Sequence, residues 1–324
     1  MATSTFNTPL NKGIRIRSTA PISCYFEATG DNSEIYTLKG RNALGTDFLV
    51  PMQNHYSNHP LFTAASSIEI VATEDDTQIE IKPRAALLGG YSANSIVFFT
   101  LQGGQTYRIR ANSMSANGHL HNTIIHSTKP ISVNSTDDLV MPVVTAGDLV
   151  GDQIVPINHI GRKYIALNVF QSLDYSYNPN LYASYVYIYP TEDNTIVSLN
   201  GTQLPPLMKG NSFGIRLVTT ETRIEANYPI VVYQTSNYIN EAGGTMLPHI
   251  ECTGSHRVVH KVPADIIQNP YITIVVPTEY ISDFTLNGQI FPANNFHTVS
   301  IVFILFPYRQ TVSYPLKTPQ GDSK

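Results

Sequence analysis

Gly210-Asn211-Ser212-Phe213-Gly214 spells the Gly-x-Ser-x-Gly pattern that presents a nucleophilic serine on a sharp turn between a strand and a helix. The residues that follow deny it the helix, because Ile215, Leu217 and Thr219 alternate as a strand does. No catalytic residue is therefore expected. His55 with His59, His119 with His121, and His256 with His260 stand at spacings a metal could use. Metal sites need three or four converging ligands, and a spacing of four shares one face only in a helix. Neither 55–59 nor 256–260 has helical periodicity, and His119 and His121 lack a third ligand. They read as solvated loop histidines, with no metal or other cofactor expected. Asp75-Asp76 and Asp137-Asp138 read as turn carboxylates.

The remaining candidates bind rather than react. Asp174, Tyr175, Tyr177, Asn178, Tyr182 and Tyr185 lie in or beside one polar, tyrosine-rich segment, and loops on a rigid frame are where binding concentrates. These six are the expected ligand contacts. Period-two alternation puts Tyr185, Tyr187 and Tyr189 on one strand face and Val186 and Ile188 on the other. Exposed, that face would stack on sugar rings or a protein partner. Packed against a neighbouring unit, it would be an interdomain interface.

Such loops need a frame, and the chain repeats one. In Val71–Ile81 the polar cluster Thr73–Thr77 is preceded by Ile68 and Ile70 and followed by Ile79 and Ile81, which alternate with Gln78 and Glu80. This predicts two half-buried strands joined as a hairpin by a short acidic turn. The construction returns at Pro190–Gly201 and Pro277–Gly288. Ile-x-x-x-x-Pro-Ile recurs at Ile16–Ile22, Ile125–Ile131 and Ile224–Ile230, and Leu-x-x-Gly-x-x-aromatic-x-Ile at Leu101–Ile109 and Leu207–Ile215. A Gly precedes an apolar-Pro pair at Gly45 and Pro51, Gly151 and Pro156, and Gly244 and Pro248.

A period of about a hundred residues belongs to whole domains and not to solenoid turns. The expected fold is all-β, three tandem antiparallel β-sandwich-like units related by internal duplication, at residues 31–138, 139–237 and 238–324. The third lacks a Pro-Ile closing strand and reads as incomplete. Residues 1–30 hold a leading closing strand of a missing or swapped unit, Ile14–Phe26. It is expected to complete the third unit, in the same molecule or by strand complementation with a neighbouring copy.

Composition agrees with a β framework: Tyr outnumbers Phe, 19 to 13, Trp is absent, and 20 Gly and 21 Pro punctuate short apolar segments. Only 14% of residues are charged and the net charge is −4, which leaves no basic surface for nucleic acid. The longest apolar run, Val299–Phe306, is too short to enter a bilayer as a span. The N-terminus has no basic region followed by an apolar run, so export would need a signal this chain does not carry. Cys24 and Cys252 cannot make a disulfide framework. Cys24 occupies the place of Val133 and Val232 and is expected to be a small buried hydrophobe.

Gly-Arg-Asn-Ala-Leu-Gly-Thr-Asp-Phe-Leu-Val-Pro at 40–51, Ala-Thr-Glu-Asp-Asp-Thr at 72–77, Leu-Gln-Gly-Gly-Gln-Thr-Tyr at 101–107 and Ser-Thr-Lys-Pro-Ile-Ser-Val at 127–133 together resemble the N-terminal domain family of IgGFc-binding proteins. The similarity continues to about Val299, and the wording around Leu38–Pro51 is similar to members among Bacteroidetes surface proteins. The resemblance implies a non-catalytic extracellular or cell-surface module for adhesion or binding. Its implied partner is a glycoprotein or glycan, immunoglobulin Fc or mucus components among them. It brings no residue motif for Fc binding. The alternative expectation is a spacer or fibre segment of a surface or virus tail assembly with no ligand of its own.

Overall fold

Two long strands organise the fold, and each contains one copy of the Ile-x-x-x-x-Pro-Ile motif. The computed structural model describes residues 5–29, 34–60, 62–143, 146–168, 184–238, 241–251, 254, 257–260, 271–296, 301–305 and 312–313. The chain divides into Met1–Cys252 and Thr253–Lys324.

The first division opens with the hairpin β1 (Tyr25–Ala28) and β2 (Glu34–Thr37). A seven-stranded antiparallel sheet follows: β3 (Gly45–Val50), β4 (Ser66–Ala72), β5 (Thr77–Lys82), β6 (Val97–Leu101), β7 (Thr106–Arg110), β8 (Thr123–Val143) and β9 (Ala146–Ile154). A second sheet of seven repeats its pairing: β10 (Gly161–Leu167), β11 (Tyr185–Pro190), β12 (Val197–Leu199), β13 (Thr202–Gln203), β14 (Phe213–Arg216), β15 (Glu221–Tyr238) and β16 (Glu241–Met246). The sequence boundaries at 138/139 and 237/238 fall inside β8 and β15.

The first half of β8 carries β3 on one edge and β5 on the other, and the second half carries β9 and β4. β4 and β5 lie end to end along one edge, β4 opposite Asp137 down to Ile131 and β5 opposite Ser127 down to Ile124. The acidic stretch between them is thus a corner in a bent strand, not a hairpin turn. Alternation alone does not separate these cases, because collinear and hairpin strands share it. β11 and β12 follow β15 in the same way.

The recurring residues mark that corner. Thr73 Oγ1 donates to the Pro130 carbonyl at 2.5 Å, Thr77 Oγ1 to the Glu74 carbonyl at 2.7 Å, and Gly103 N–H to Asp75 Oδ1 at 2.8 Å. In the second sheet Thr191 donates to Pro229 at 2.6 Å, Thr195 to Glu192 at 2.7 Å, and Lys209 N–H to Asp193 Oδ1 at 3.0 Å. Asp76 and Asn194 take φ of 53° and 56°, a conformation that short polar side chains tolerate. Pro130 and Pro229 stand where β8 and β15 exchange neighbours, where a missing N–H disturbs the ladder least. Opposite the next residues, Ile131 and Ile230, bulges begin at Gly45 and Gly161. A Cβ there would approach Pro156 or His249 to 2.5 Å. The counterpart of Gly45 is therefore Gly161, while Gly151 and Gly244 share a place in β9 and β16, which corrects the Gly-and-Pro alignment.

Each sheet curls round its own core, the first holding Ile68, Ile70, Ile79 and Ile131, the second Val186, Ile188, Ile224 and Ile230. Outward residues of the second sheet, Tyr187, Tyr189, Val231 and Tyr233, join the first core, so the sheets share a packed junction. β9 and β16 are tied across it by carboxylates: Asp148 Oδ2 accepts from Ala242 N–H at 2.7 Å and Asp152 Oδ2 from Met246 N–H at 2.8 Å. β2 is tied to β9 likewise, with Gly151 N–H on Glu34 Oε2 at 3.2 Å and Lys39 just beyond it on Asp152 at 2.6 Å.

The leading segment departs from expectation. Residues 11–24 form no strand, Ile14, Ile16 and Ile22 are 87%, 53% and 59% exposed, and Cys24 is a free, half-buried thiol. The segment is held to the first sheet early, Leu10 bridging Thr106, Gly13 N–H donating to the Gly104 carbonyl at 3.0 Å and Arg15 to the Thr73 carbonyl at 2.9 Å. From Tyr25 it pairs with β2. The motif itself, Ile16–Ile22, has no ladder partner among the described residues.

In Thr253–Lys324 the described ladders are β17 (Val259–His260) with β22 (Val312–Ser313), β18 (Tyr271–Val275) with β21 (Ile301–Leu305), and β19 (Thr285–Leu286) with β20 (Gln289–Ile290). A 3-10 turn at Thr278–Asp283 replaces the acidic corner. In the sequence Tyr280 and Ile281 align with Asp193 and Asn194, and Ile281 lacks the short polar side chain that tolerates the left-handed backbone of Asn194.

Candidate functional site

The loop after β3 is held from below. Asp137 is 2% exposed and His119 0%, and the two approach to 3.1 Å. Asn58 donates Nδ2 to Asp137 Oδ1 at 2.6 Å, and Gln53 donates Nε2 to Asp137 Oδ2 at 2.7 Å. His119 Nε2 meets Asn58 Oδ1 at 2.8 Å. Burial pushes the Asp137 carboxyl up, and the His119 charge and the two amides oppose it. His119 and the adjacent His121 are thus buried structural groups, not solvated loop histidines. At His121, burial lowers the imidazole to about 4.

Gln53 Oε1 accepts from the N–H groups of His55 and Tyr56 at 2.9 and 2.8 Å, and this turn aims both rings at β11. His55 stacks on Tyr185 with centroids 4.4 Å apart, and Tyr56 stands edge-on to both at 4.7 and 5.8 Å. Tyr56 Oη accepts from Asn237 Nδ2 at 2.9 Å. Burial lowers the His55 imidazole, which favours the neutral ring in the stack. His55 is exposed while Tyr56 and Tyr185 are half-buried, so the trio forms a rim with ring faces at its edge.

Tyr187 and Tyr189, 1% and 0% exposed, lie behind that rim. Tyr189 Oη donates to the Met52 carbonyl, and its phenol is raised by burial. Most of the predicted tyrosine face is therefore the junction between sheets, and only Tyr185 reaches its edge. Asp174, Tyr175, Tyr177, Asn178 and Tyr182 lie outside the described residues, in the connection from Asn168 at the end of β10 to Ser184 before β11. His55 and Tyr56 were not predicted as contacts. Their only sequence signal is a polar stretch after Val50-Pro51.

Other candidates resolve into structure. Ser212 is followed by strand β14 and accepts from Asn54 Nδ2 at 3.0 Å, one of several bonds between the two sheets. Among the described residues no three His, Cys, Asp or Glu side chains converge as metal ligands. No described helix is long and apolar enough to cross a membrane.

A search among curated proteins finds no match to the chain. A family model described as IgGFc binding protein matches residues 35–312, covering the hairpin strand β2, both sheets and the ladders beyond them. On that match the chain belongs to the IgGFc-binding protein family.

Proposed function

We propose that this chain is a non-catalytic extracellular binding module that holds a glycoprotein or its glycan, immunoglobulin Fc included, at the rim formed by His55, Tyr56 and Tyr185. Asp174, Tyr175, Tyr177, Asn178 and Tyr182, the contacts expected from the sequence, are proposed as further ligand contacts. The observation that carries the reading is the aromatic trio, stacked at 4.4 Å and backed by a buried polar network, whose Tyr185 follows the tyrosine-rich segment in the sequence. Rigid aromatic rings supply contact area at low entropic cost, and their faces suit sugar C–H surfaces and protein side chains alike. Membership of an IgGFc-binding family supports a binding role outside the cell.

Thr253–Lys324 is, on this reading, a third copy of the unit. Its three ladders support that, because each joins the counterparts of strands that pair in the second sheet. The test is surface plasmon resonance against Fc fragment, with a glycan array alongside. Tyr185→Ala and the pair Tyr175→Ala with Tyr177→Ala should each weaken binding at least about tenfold, as expected of aromatic anchors. Binding that survives both changes, or no binding on either platform, overturns the proposal. A null on both platforms with end-to-end assembly would favour the spacer reading, which the chain of ties from β2 through β9 to β16 supports.

A further inference from the structure

One ion pair in the first division is set up as the reactants of a covalent bond. Lys39 follows β2 and Asp152 sits in β9, and Lys39 Nζ stands 2.6 Å from Asp152 Oδ1. The lysine is pinned at both ends, because its N–H donates to Gln153 Oε1 at 2.6 Å and its ammonium to the Gln153 carbonyl, 114 residues further along the chain. Asp152 is 1% exposed. Its other oxygen, Oδ2, accepts from Met246 N–H at 2.8 Å and Thr245 Oγ1 at 3.1 Å. One carboxylate oxygen is thus clamped by two donors while the other faces an amine.

Burial raises the Asp152 carboxyl and lowers the Lys39 ammonium, against the attraction of the two charges. Both shifts favour the neutral acid and the neutral amine over the ions. Beside them, Glu34 Oε2 accepts from the N–H of Gly151, the residue before Asp152, at 3.2 Å. Burial, with the Asp148 and Asp152 charges adding to it, raises Glu34 to about 8, so this neighbour stays protonated at neutral pH. A desolvated lysine amine is a nucleophile. The donors on Oδ2 are placed to hold the negative charge that collects there when the amine adds to Cγ. Fixed contact also replaces the high concentration that condensation needs in water, since well-oriented pairs reach effective molarities of roughly 10⁵–10⁸ M.

We propose that Lys39 and Asp152 condense to an isopeptide bond that staples the first sheet. The Nζ–Cγ bond forms, the Cγ–Oδ1 bond breaks, and Oδ1 leaves as water with two of the three ammonium protons; nothing is oxidised or reduced. The ion pair is the reactant that the fold holds until the bond forms. Lys39 precedes β3 and Asp152 lies near the end of β9, so the amide closes the chain at both ends of that sheet. A pull along the chain then runs through the amide and leaves β3 to β8 unloaded. Thr245 of β16 opposes Gln234 as Asp152 of β9 opposes Ser135, so the second sheet has no carboxylate at this place and one such bond per chain is expected from the two sheets. The staple makes no use of the rim at His55 and Tyr185 and stands or falls apart from it.

The test is intact mass spectrometry of the full chain, kept folded and then denatured, beside Lys39→Arg and Asp152→Ala. Wild type should be lighter than its sequence by one water, and both variants should keep their sequence mass. Lys39→Arg retains a cation for Asp152, so its circular dichroism should match wild type. Tandem spectra of a wild-type digest should show one branched peptide joining Lys39 to Asp152. Water lost by backbone ring closure gives no branch, and the branch is read on wild type alone, so it decides even where a variant folds poorly. Wild type at full sequence mass after prolonged incubation in the folded state, a water loss that Lys39→Arg retains, or a branch at other residues overturns the proposal.

Discussion

Asp152→Ala should be among the costliest single changes in the chain. The carboxylate is 2% exposed and accepts from Lys39 Nζ at 2.6 Å, Met246 N–H at 2.8 Å and Thr245 Oγ1 at 3.1 Å. It therefore joins the connection after β2, strand β9 and strand β16. Burial pushes the Asp152 carboxyl up and the Lys39 ammonium down, and each charge opposes the shift of the other. Truncation leaves a buried N–H without an acceptor, a loss of about 1–3 kcal/mol, and a cation without its partner. Breaking a buried pair from one side costs about 3–5 kcal/mol. Lys39 keeps 22% of its side chain in water and also donates to the Gln153 carbonyl, so the lower end applies and about 3–4 kcal/mol is expected.

The protein has no Trp, so urea unfolding is followed by far-ultraviolet circular dichroism. With a slope of about 3 kcal/mol per molar urea, the midpoint should fall by roughly 1 M. A companion experiment separates charge from hydrogen bonding. Asp152→Asn keeps an oxygen for Met246 but strands Lys39, and adding Lys39→Met should restore at least about 1.5 kcal/mol. A loss under about 1 kcal/mol for Asp152→Ala, or no recovery in the double variant, would refute the account of this junction.

Two further outcomes follow from the same region. Gly244→Ala should cost about 1–3 kcal/mol in the same assay, because its Cβ would stand 2.1 Å from Tyr233 Oη and 2.4 Å from Val150 Cγ1; an unchanged midpoint would show that β9 and β16 separate easily. Burial raises Glu34 from 4.5 to about 8 and Asp148 from 3.8 to about 6, so the folded chain keeps these protons to higher pH than the unfolded one. Their stabilisation is complete below the unfolded values and is lost as pH climbs through about 6 and then about 8. The thermal midpoint should therefore fall from pH 5 to pH 8.5, by an amount equivalent to a few kcal/mol, and Glu34→Gln should flatten the upper part of that fall. A midpoint that rises with pH would contradict it.

The period-two pattern was legible because burial on a sheet enforces it: Ile68, Ile70, Ile79 and Ile81 all enter the core as read. Strand pairing was not legible, since β4 and β5 alternate identically whether they face each other or run in line along β8. The Ile-x-x-x-x-Pro-Ile motif showed the duplication but misled at its first occurrence, where Ile16 and Ile22 lack the sheet that buries Ile125 and Ile131. At the candidate site, the alternation of Tyr185, Tyr187 and Tyr189 against Val186 and Ile188 was read correctly. His55 and Tyr56 arrive from 130 residues upstream, with Tyr185 as their partner, and only tertiary packing brings them there.

A comparison of β4 with β11 separates what the repeat preserves from what it leaves free. Ile70 opposes Val133 and Ile188 opposes Val232, each three residues past the corner proline, so the two strands superpose residue for residue. On the inner face, Ile68 and Ile70 become Val186 and Ile188, apolar in both sheets. On the outer face, Ser67, Glu69 and Val71 become Tyr185, Tyr187 and Tyr189. Glu69 meets Arg108 at 2.9 Å and Thr136 at 3.1 Å, whereas Tyr187 and Tyr189 are buried against the first sheet. The corner residues Thr73 and Thr191, with Asp75 and Asp193, spend their bonds inward on the chain itself. Repetition here therefore reports architecture, and a ligand must be sought where copies differ and the difference is not consumed by a neighbouring sheet. Among the positions of β4 and β11, Tyr185 comes nearest to both conditions: it replaces Ser67, packs on Tyr187 at the edge of the first core, and stays half-buried beneath the exposed ring of His55 and the edge of Tyr56.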